Sequence, residues 1–526
     1  MPAAELLALG GKLSYEAGMR QAPLVAAIAL MALPVYAKRQ APAPSEPPPA
    51  VNAKPSAAVA PPPKPPAQAS PPAAAAPAAP RPEIPFEKLT LANGLSVLLH
   101  RDPSLPLVAV NIWYHVGPRD EAAGRTGFAH LFEHLMFSGS RHVGREFDTL
   151  LESVGATNVN GTTSFDRTNY FETVPRDQLD LVLWIESDRM GYLLDVLDQG
   201  LLDVQRDVVK NERRQSLDNA PYGPSYLALI DALFPAYHPY NGAVIGSMAD
   251  LSAATLEDVR GFFRDYYTPS NATLAIAGDF DTQAAKASIQ KYFGSLTNRP
   301  KRVTRPGKLP PARPGRTVVE EPVELGQVNF GFRTPPAYST DDPIVDVAMA
   351  VLAGGKATRL YQTLVVQKKL ASDVSASQDS NQLSGITTVG ATVATGKSLS
   401  ELESALGEAL SALERTGPSA GELERAKRRI LVSTLQSLEI LNGPGGESGR
   451  AGLLQRFAHY TGDAGYLPRW VEQIEKVSPA DVQRVLREHL SADKRVTIVT
   501  QPRAKAPPPA PAPTKTPAPA KTGVKP

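Results

Sequence analysis

Residues Gly127–Ser138 read GFAHLFEHLMFS, and the spacing inside this stretch governs how the rest of the chain is understood. On an α-helix, positions i and i+4 lie one turn apart on the same face. His130 and His134 can therefore present two imidazole nitrogens to one ion, with Glu133 bordering the same face. Two histidines and a carboxylate form a common zinc set that leaves one position for water. A second carboxylate beside that water can serve as its general base. The order His-x-x-Glu-His is the inverse of the commoner His-Glu-x-x-His helix. Phe128, Leu131, Phe132, Leu135, Met136 and Phe137 make the segment apolar almost all round, which implies burial. Buried histidines and glutamates need partners, and a metal is the simplest partner they can share.

The third ligand must come from elsewhere. Downstream candidates are Glu152, Glu172, Glu186 and Glu212. Glu186 lies on an amphipathic helix where a solvent-facing role is equally open. Glu212 falls in DVVKNERRQ, on one side of a helix with Val208 and Val209. The pattern alone does not choose between them.

Composition narrows the chemistry. The chain has 526 residues, enough for two or more domains, and no cysteine. Disulfides, thiol catalysis, thiolate metal sites and an acylated cysteine are excluded, so any metal must use histidine and carboxylate. A net charge of +2 gives no footing for nucleic-acid binding. Proline is frequent but uneven: residues 39–83 and 503–526 are dominated by Ala, Pro, Ser and Lys and cannot build a core. Residues 1–38 form a signal region. Arg20 precedes the apolar run Ala22–Leu33, and Pro34–Ala37 offers small residues for cleavage near Ala37. Met19 is an alternative start, and an uncleaved anchor is the alternative fate. Export followed by a long tether implies a bacterial periplasm or cell-envelope location.

Between these ends, the pattern predicts two α+β domains, 84–297 and 317–502, joined by the Pro- and Arg-rich segment 298–316. In the first, Asn93-Gly94 marks a hairpin and Val108–Val116 a buried strand, with Thr126 placed to cap the HLFEH helix. Helices are expected over Arg145–Val154, Arg176–Met190, Leu201–Leu217, Thr255–Tyr266 and Thr282–Leu296, and a closing strand over Asn271–Gly278. The second domain repeats the order: a strand at Gln327–Phe332, a helix at Asp342–Leu352, strands at Ser375–Gln378 and Thr387–Ala394, helices at Ser400–Arg415, Gly421–Glu439 and Pro479–His489, and a strand at Arg495–Thr500. This echo implies a diverged internal duplication. The glycine-rich Asn442–Arg450 lacks a phosphate-binding context and reads as a flexible loop between helices. The remaining histidines are scattered, and none pairs at ligand spacing.

HLFEH followed downstream by the glutamate of VVKNERR resembles the inverzincins, the zinc peptidases that include pitrilysin, insulin-degrading enzyme and mitochondrial processing peptidase. Asn160–Tyr170 (NGTTSFDRTNY), Trp184–Met190, Asn271–Asp279 and Gly354–Leu364 are similar to further family segments, so the resemblance covers residues 84 to 500. It implies two homologous domains, each an antiparallel sheet flanked by helices, and one zinc per chain held by His130, His134 and Glu212. Glu133 would be the general base for a zinc-activated water in peptide hydrolysis. Asn160 would lie on an edge strand that receives extended peptide.

The sequence departs from the family at two places. Gln205 stands where the family has a second glutamate seven residues before the ligand, and its amide can orient a neighbour without charge. The family's second domain supplies an Arg and, seven residues on, a Tyr that hold substrate; here Val365 and Ser372 align there, with Arg359 and Tyr361 as nearby substitutes. The expectation is a heterodimer in which a homologous subunit brings that pair, a homodimer being the other arrangement. The rival to a peptidase is a non-catalytic structural or assembly subunit.

Overall fold

The computed structural model describes residues 81–145, 147–299 and 309–503. The signal region, residues 39–80, residues 300–308 and the tail after 503 lie outside the described residues.

The first sheet contains β1 (Glu87–Thr90), β2 (Ser96–Arg101), β3 (Leu107–Tyr114), β4 (Thr157–Thr163), β5 (Thr168–Pro175) and β6 (Ala272–Gly278). Their spatial order is β1-β2-β6-β3-β5-β4. The second contains β7 (Gly315–Glu321), β8 (Gln327–Thr334), β9 (Ala371–Asp379), β10 (Gly385–Val393) and β11 (Val496–Pro502), in the order β7-β11-β8-β10-β9. Matching β2–β6 to β7–β11 in chain order gives the same arrangement twice. The duplication is thus written in the topology, and only β1 lacks a counterpart. The sheets are not purely antiparallel, however. β2 runs parallel to β6, and β7 to β11. β2 and β3 point in opposite directions, so a strand inserted between them must run parallel to one and antiparallel to the other.

Helices of the first domain are α1 (Phe128–Leu135), α2 (Phe147–Ser153), α3 (Leu179–Tyr192), α4 (Gln199–Arg213), α5 (Gly223–Leu233), α6 (Met248–Ala253), α7 (Leu256–Tyr266) and α8 (Thr282–Phe293). The second half adds α9 (Asp342–Leu352), α10 (Leu399–Thr416), α11 (Ala420–Ser437), α12 (Gly449–Thr461), α13 (Leu467–Lys476) and α14 (Pro479–His489). Along β3, Val108, Val110, Ile112 and Tyr114 join the core beneath the domain's own helices. The alternate residues face the other way, as a period of two requires.

That second face is covered by the other domain. Ala451, Leu454 and Phe457 of α12 pack on Leu98, Ala275 and Ala277 of the first sheet. Buried Gln455 donates through Nε2 to the carbonyls of Asn111 and Thr273, at 2.7 Å each. Reciprocally, Leu229, Ile230 and Leu233 of α5 pack against Ile386, Val496 and Ile498 of the second sheet. Each domain lends the helix that follows its α4-type helix to the other. Neither sheet keeps both faces buried alone, so the two domains form one folding unit. Ile230 is fully buried in that shared layer. Ile230→Ala is expected to cost about 2–5 kcal/mol and to lower one coincident unfolding transition of both domains in calorimetry. Two separate transitions, with only the first shifted, would contradict this.

Candidate metal centre

Helix α1 is fixed on three sides by its apolar residues. The Phe132 ring lies 5.4 Å from Phe262 and 5.0 Å from Tyr267, and Tyr170 donates its hydroxyl hydrogen to the Phe132 carbonyl at 3.2 Å. Its N-terminus is capped by the Glu121 carboxylate, which accepts from the amides of Gly127 and Ala129 at 3.0 and 2.8 Å. The expected cap, Thr126, instead donates to Asp250. Its place is taken by a carboxylate six residues upstream of Gly127, outside the usual capping spacing.

The remaining face of α1 meets α4. His134 Nε2 lies 3.1 Å from one Glu212 carboxylate oxygen, and His130 Nε2 lies 3.6 Å from the other. One donor atom from each of the three residues falls within 4.8 Å of the others. Burial lowers the pKa of His130 and favours its neutral, lone-pair-bearing form. Burial would raise Glu212, but its hydrogen bond with His134 and the two imidazoles hold it below the ordinary carboxylate range. Burial would lower the pKa of half-buried His134, but its hydrogen bond with Glu212 raises it. One buried and one half-buried imidazole converging on a carboxylate are a donor set that fits a borderline-soft dication such as zinc.

Glu133 stands beside this set. Its Oε2 accepts from Thr163 Oγ1 at 2.6 Å, on the last residue of β4. A Cβ at Gly161 would come within 3.1 Å of Glu133 Cγ and 3.0 Å of Phe137, so a small residue there lets β4 approach α1 closely. Thr163 was missed from sequence, although it falls inside the quoted NGTTSFDRTNY segment. Asn160 lies on β4, the sheet's edge strand, with its Oδ1 accepting from the Gly161 amide at 2.9 Å. Gln205 is half-buried two turns before Glu212 and makes no hydrogen bond to the three clustered side chains.

The other candidate glutamates sit elsewhere. Glu152 is exposed. Glu186 does not face solvent: it is fully buried, and Arg189 Nε donates to it at 2.8 Å. Glu172 is buried beside this pair. Helix α3 carries buried residues on nearly every side, so its amphipathic pattern misleads. Nor are the other histidines all scattered: His115 Nδ1 lies 2.7 Å from His459 Nδ1, joining β3's end to α12.

The positions aligned with the expected substrate-holding pair lie in the second domain. Val365 is half-buried against the second core, and Ser372 is exposed on β9. Arg359 donates to Glu422 from Nε at 2.9 Å and Nη2 at 2.8 Å. Tyr361 opens the π-helical segment Tyr361–Gln367 in the same domain.

Two duplicated α+β domains around an inverted His-x-x-Glu-His helix and a distant glutamate define a metallopeptidase-type scaffold. The comparisons identify it further. Residues 96–221 match the family described as Insulinase (Peptidase family M16), and residues 253–430 match the Peptidase M16 inactive domain. The chain is 32% identical over 429 residues to the zinc protease PqqE of Helicobacter pylori, covering 79% of this chain and 93% of that protein. It is 26% identical to the uncharacterized zinc protease YmxG of Bacillus subtilis, covering 70% and 88%. A crystal structure of a protease from Helicobacter pylori superposes with a TM-score of 0.74 at 28% identity, over 80% of this chain and all of that one. The chain belongs to peptidase family M16.

His130→Ala and Glu212→Ala are each expected to abolish retention of zinc through dialysis, whereas Glu133→Gln retains it; elemental analysis reads the difference. A second expectation concerns Arg359. Burial would raise Glu422, yet hydrogen bonds from Arg359 and Ser419 bring it down to about 2. The stability this contributes is present above the ordinary value of 4.5 and lost as pH falls toward about 2. Arg359→Met should therefore destabilise at pH 7, with the difference from wild type shrinking across that window, and leave zinc content unchanged.

Proposed function

We propose that this chain is a zinc-dependent endopeptidase acting on peptides and unfolded segments. The observation that carries the reading is the convergence of His130, His134 and Glu212 beside a glutamate locked by Thr163. His130, His134 and Glu212 would hold one zinc, which supplies Lewis acidity toward a carbonyl oxygen and toward water. Glu133 then acts as the general base. Thr163 occupies Oε2, which leaves Oε1 to accept a proton from the attacking water and later to return it to the leaving amine. As the edge strand of its sheet, β4 can take an extended peptide as an added strand, with Asn160 at the start of its unbroken pairing with β5. Main-chain pairing gives loose sequence selectivity.

Val365 and Ser372 support a partner-dependent enzyme, in which a homologous subunit supplies an Arg and a Tyr against the bound peptide. A second copy of this chain would carry the same two residues and bring neither group. The same observation, with Gln205 in place of a carboxylate, favours the second reading, a non-catalytic assembly subunit. We place the protein in the bacterial periplasm or cell envelope, on the strength of the Arg20–Ala37 signal pattern. Among the described residues no helix is long and apolar enough to cross a membrane.

The test is chelator-sensitive cleavage of an unstructured peptide by the zinc-loaded chain, with and without its homologous partner. Glu133→Gln is expected to lower kcat by about 10²–10⁴-fold at unchanged zinc content. Bound zinc with no cleavage under either condition would favour the assembly subunit.

A further inference from the structure

Edge strand β4 has one strand neighbour, β5, and their register slips between Thr157 and Asn160, where Asn158 adopts φ 53°. A strand held on one side and bulged at its start is a poor platform for a catalytic contact, yet Thr163 at its end positions Glu133. Its second support comes from the other domain, through the Asn442–Arg450 loop between α11 and α12. This loop is not flexible in the manner its composition implies. The Gly445 carbonyl accepts from Thr162 Oγ1 and from Asn169 Nδ2, both at 3.1 Å. The Gly446 carbonyl accepts from Asn111 Nδ2 at 2.8 Å. Gly446 has φ +65°, and a Cβ there would lie 2.2 Å from Asn169 Nδ2 and 2.6 Å from the Phe171 ring. Its glycines serve close approach to the sheet.

The decisive link is charged. Arg167, in the turn between β4 and β5, is 4% exposed at its side chain and needs a counter-ion. Glu447 from the loop provides it, accepting from Arg167 Nε at 3.0 Å and from Nη2. The third nitrogen, Nη1, donates to the Thr162 carbonyl at 2.7 Å and to Asn169 Oδ1 at 2.8 Å. That carbonyl belongs to the peptide unit leading directly into Thr163. The run of contacts is Glu447, Arg167, the Thr162–Thr163 peptide, the Thr163 hydroxyl and the Glu133 carboxylate.

We propose that Glu447 and Arg167 are positioning residues: through the Arg167 anchor, the second domain sets the orientation of the Glu133 base in the first. This gives the half of the chain without the His-x-x-Glu-His helix a part in the chemistry, and it rests on the peptidase reading above. His130, His134 and Glu212 are not members of this run, although Glu133 shares α1 with the two histidines, so metal binding and base positioning can be measured separately.

Two measurements test it, one independent of cleavage. By amide hydrogen exchange, Glu447→Ala should speed exchange across residues 157–163 by about tenfold or more while 128–135 and 199–213 stay protected, with zinc content unchanged. Glu447→Gln, which keeps an acceptor, should restore most of the protection. In cleavage assays Glu447→Ala should lower kcat by about 10–100-fold, and the effect should vanish in a Thr163→Val background, where the last link is already cut. Unchanged exchange at 157–163 overturns the proposal whether or not the chain cleaves peptides. Additive losses in the double variant, or losses that track zinc content, overturn it as well. Full exchange effects in a chain that cleaves nothing would instead count against the peptidase reading and leave the mechanical link standing.

Discussion

Each sheet in this chain carries its own helices on one face and depends on the other domain to cover the apolar residues of the second. The rest of the structure follows from how the second face is covered. Helix α5 leaves the first domain to lie on the second sheet, and α12 returns the exchange. Apolar surface left in water would cost about 25 cal/mol per Å², so neither half is a self-sufficient unit. The exchange also determines what each domain can place near the other's working parts. The loop that enters α12 lands on β4 and β5, the strands beside the candidate metal centre. Its counterpart entering α5 lands on the second sheet, where Glu321 accepts from the amides of Tyr222 and Ser225.

The centre itself follows the division of labour that such chemistry needs. His130 and His134 sit on α1 and Glu212 on α4, and Glu133, also on α1, accepts a hydrogen bond from Thr163 at the end of β4. A base that is both near the metal and separately held can act on water without becoming a ligand itself. Residues 253–430 match the Peptidase M16 inactive domain, and positions 365 and 372 carry Val and Ser.

Much of this was legible in the sequence, and the failures share a cause. His130 and His134 were legible because their relation is local, one helical turn. The duplicated domains were legible because strand and helix order repeats. The residue pattern alone did not choose Glu212 over Glu186, and only the family resemblance did: α3 is buried on nearly all sides, so a carboxylate on its polar-looking face is interior and paired with Arg189. The helices left unassigned include both exchanged ones, α5 and α12. A helix packed on several sides loses the one-sided period by which helices are recognised. The loop at 442–450 was misjudged for a related reason, since glycine marks both freedom and close approach, and only the neighbours Asn169 and Phe171 tell which. The parallel pairs β2–β6 and β7–β11 depend on where the final strand inserts, which no local pattern records.

The most direct measurement is a crystal structure of the Glu133→Gln chain grown with zinc and an unstructured peptide, together with its homologous partner subunit, with data collected at the zinc absorption edge. The expected result is one anomalous peak bounded by His130 Nε2, His134 Nε2 and the Glu212 carboxylate at about 2.0–2.2 Å, with the peptide paired along the edge of β4. No zinc at these three residues, or a peptide bound away from β4, would contradict the account.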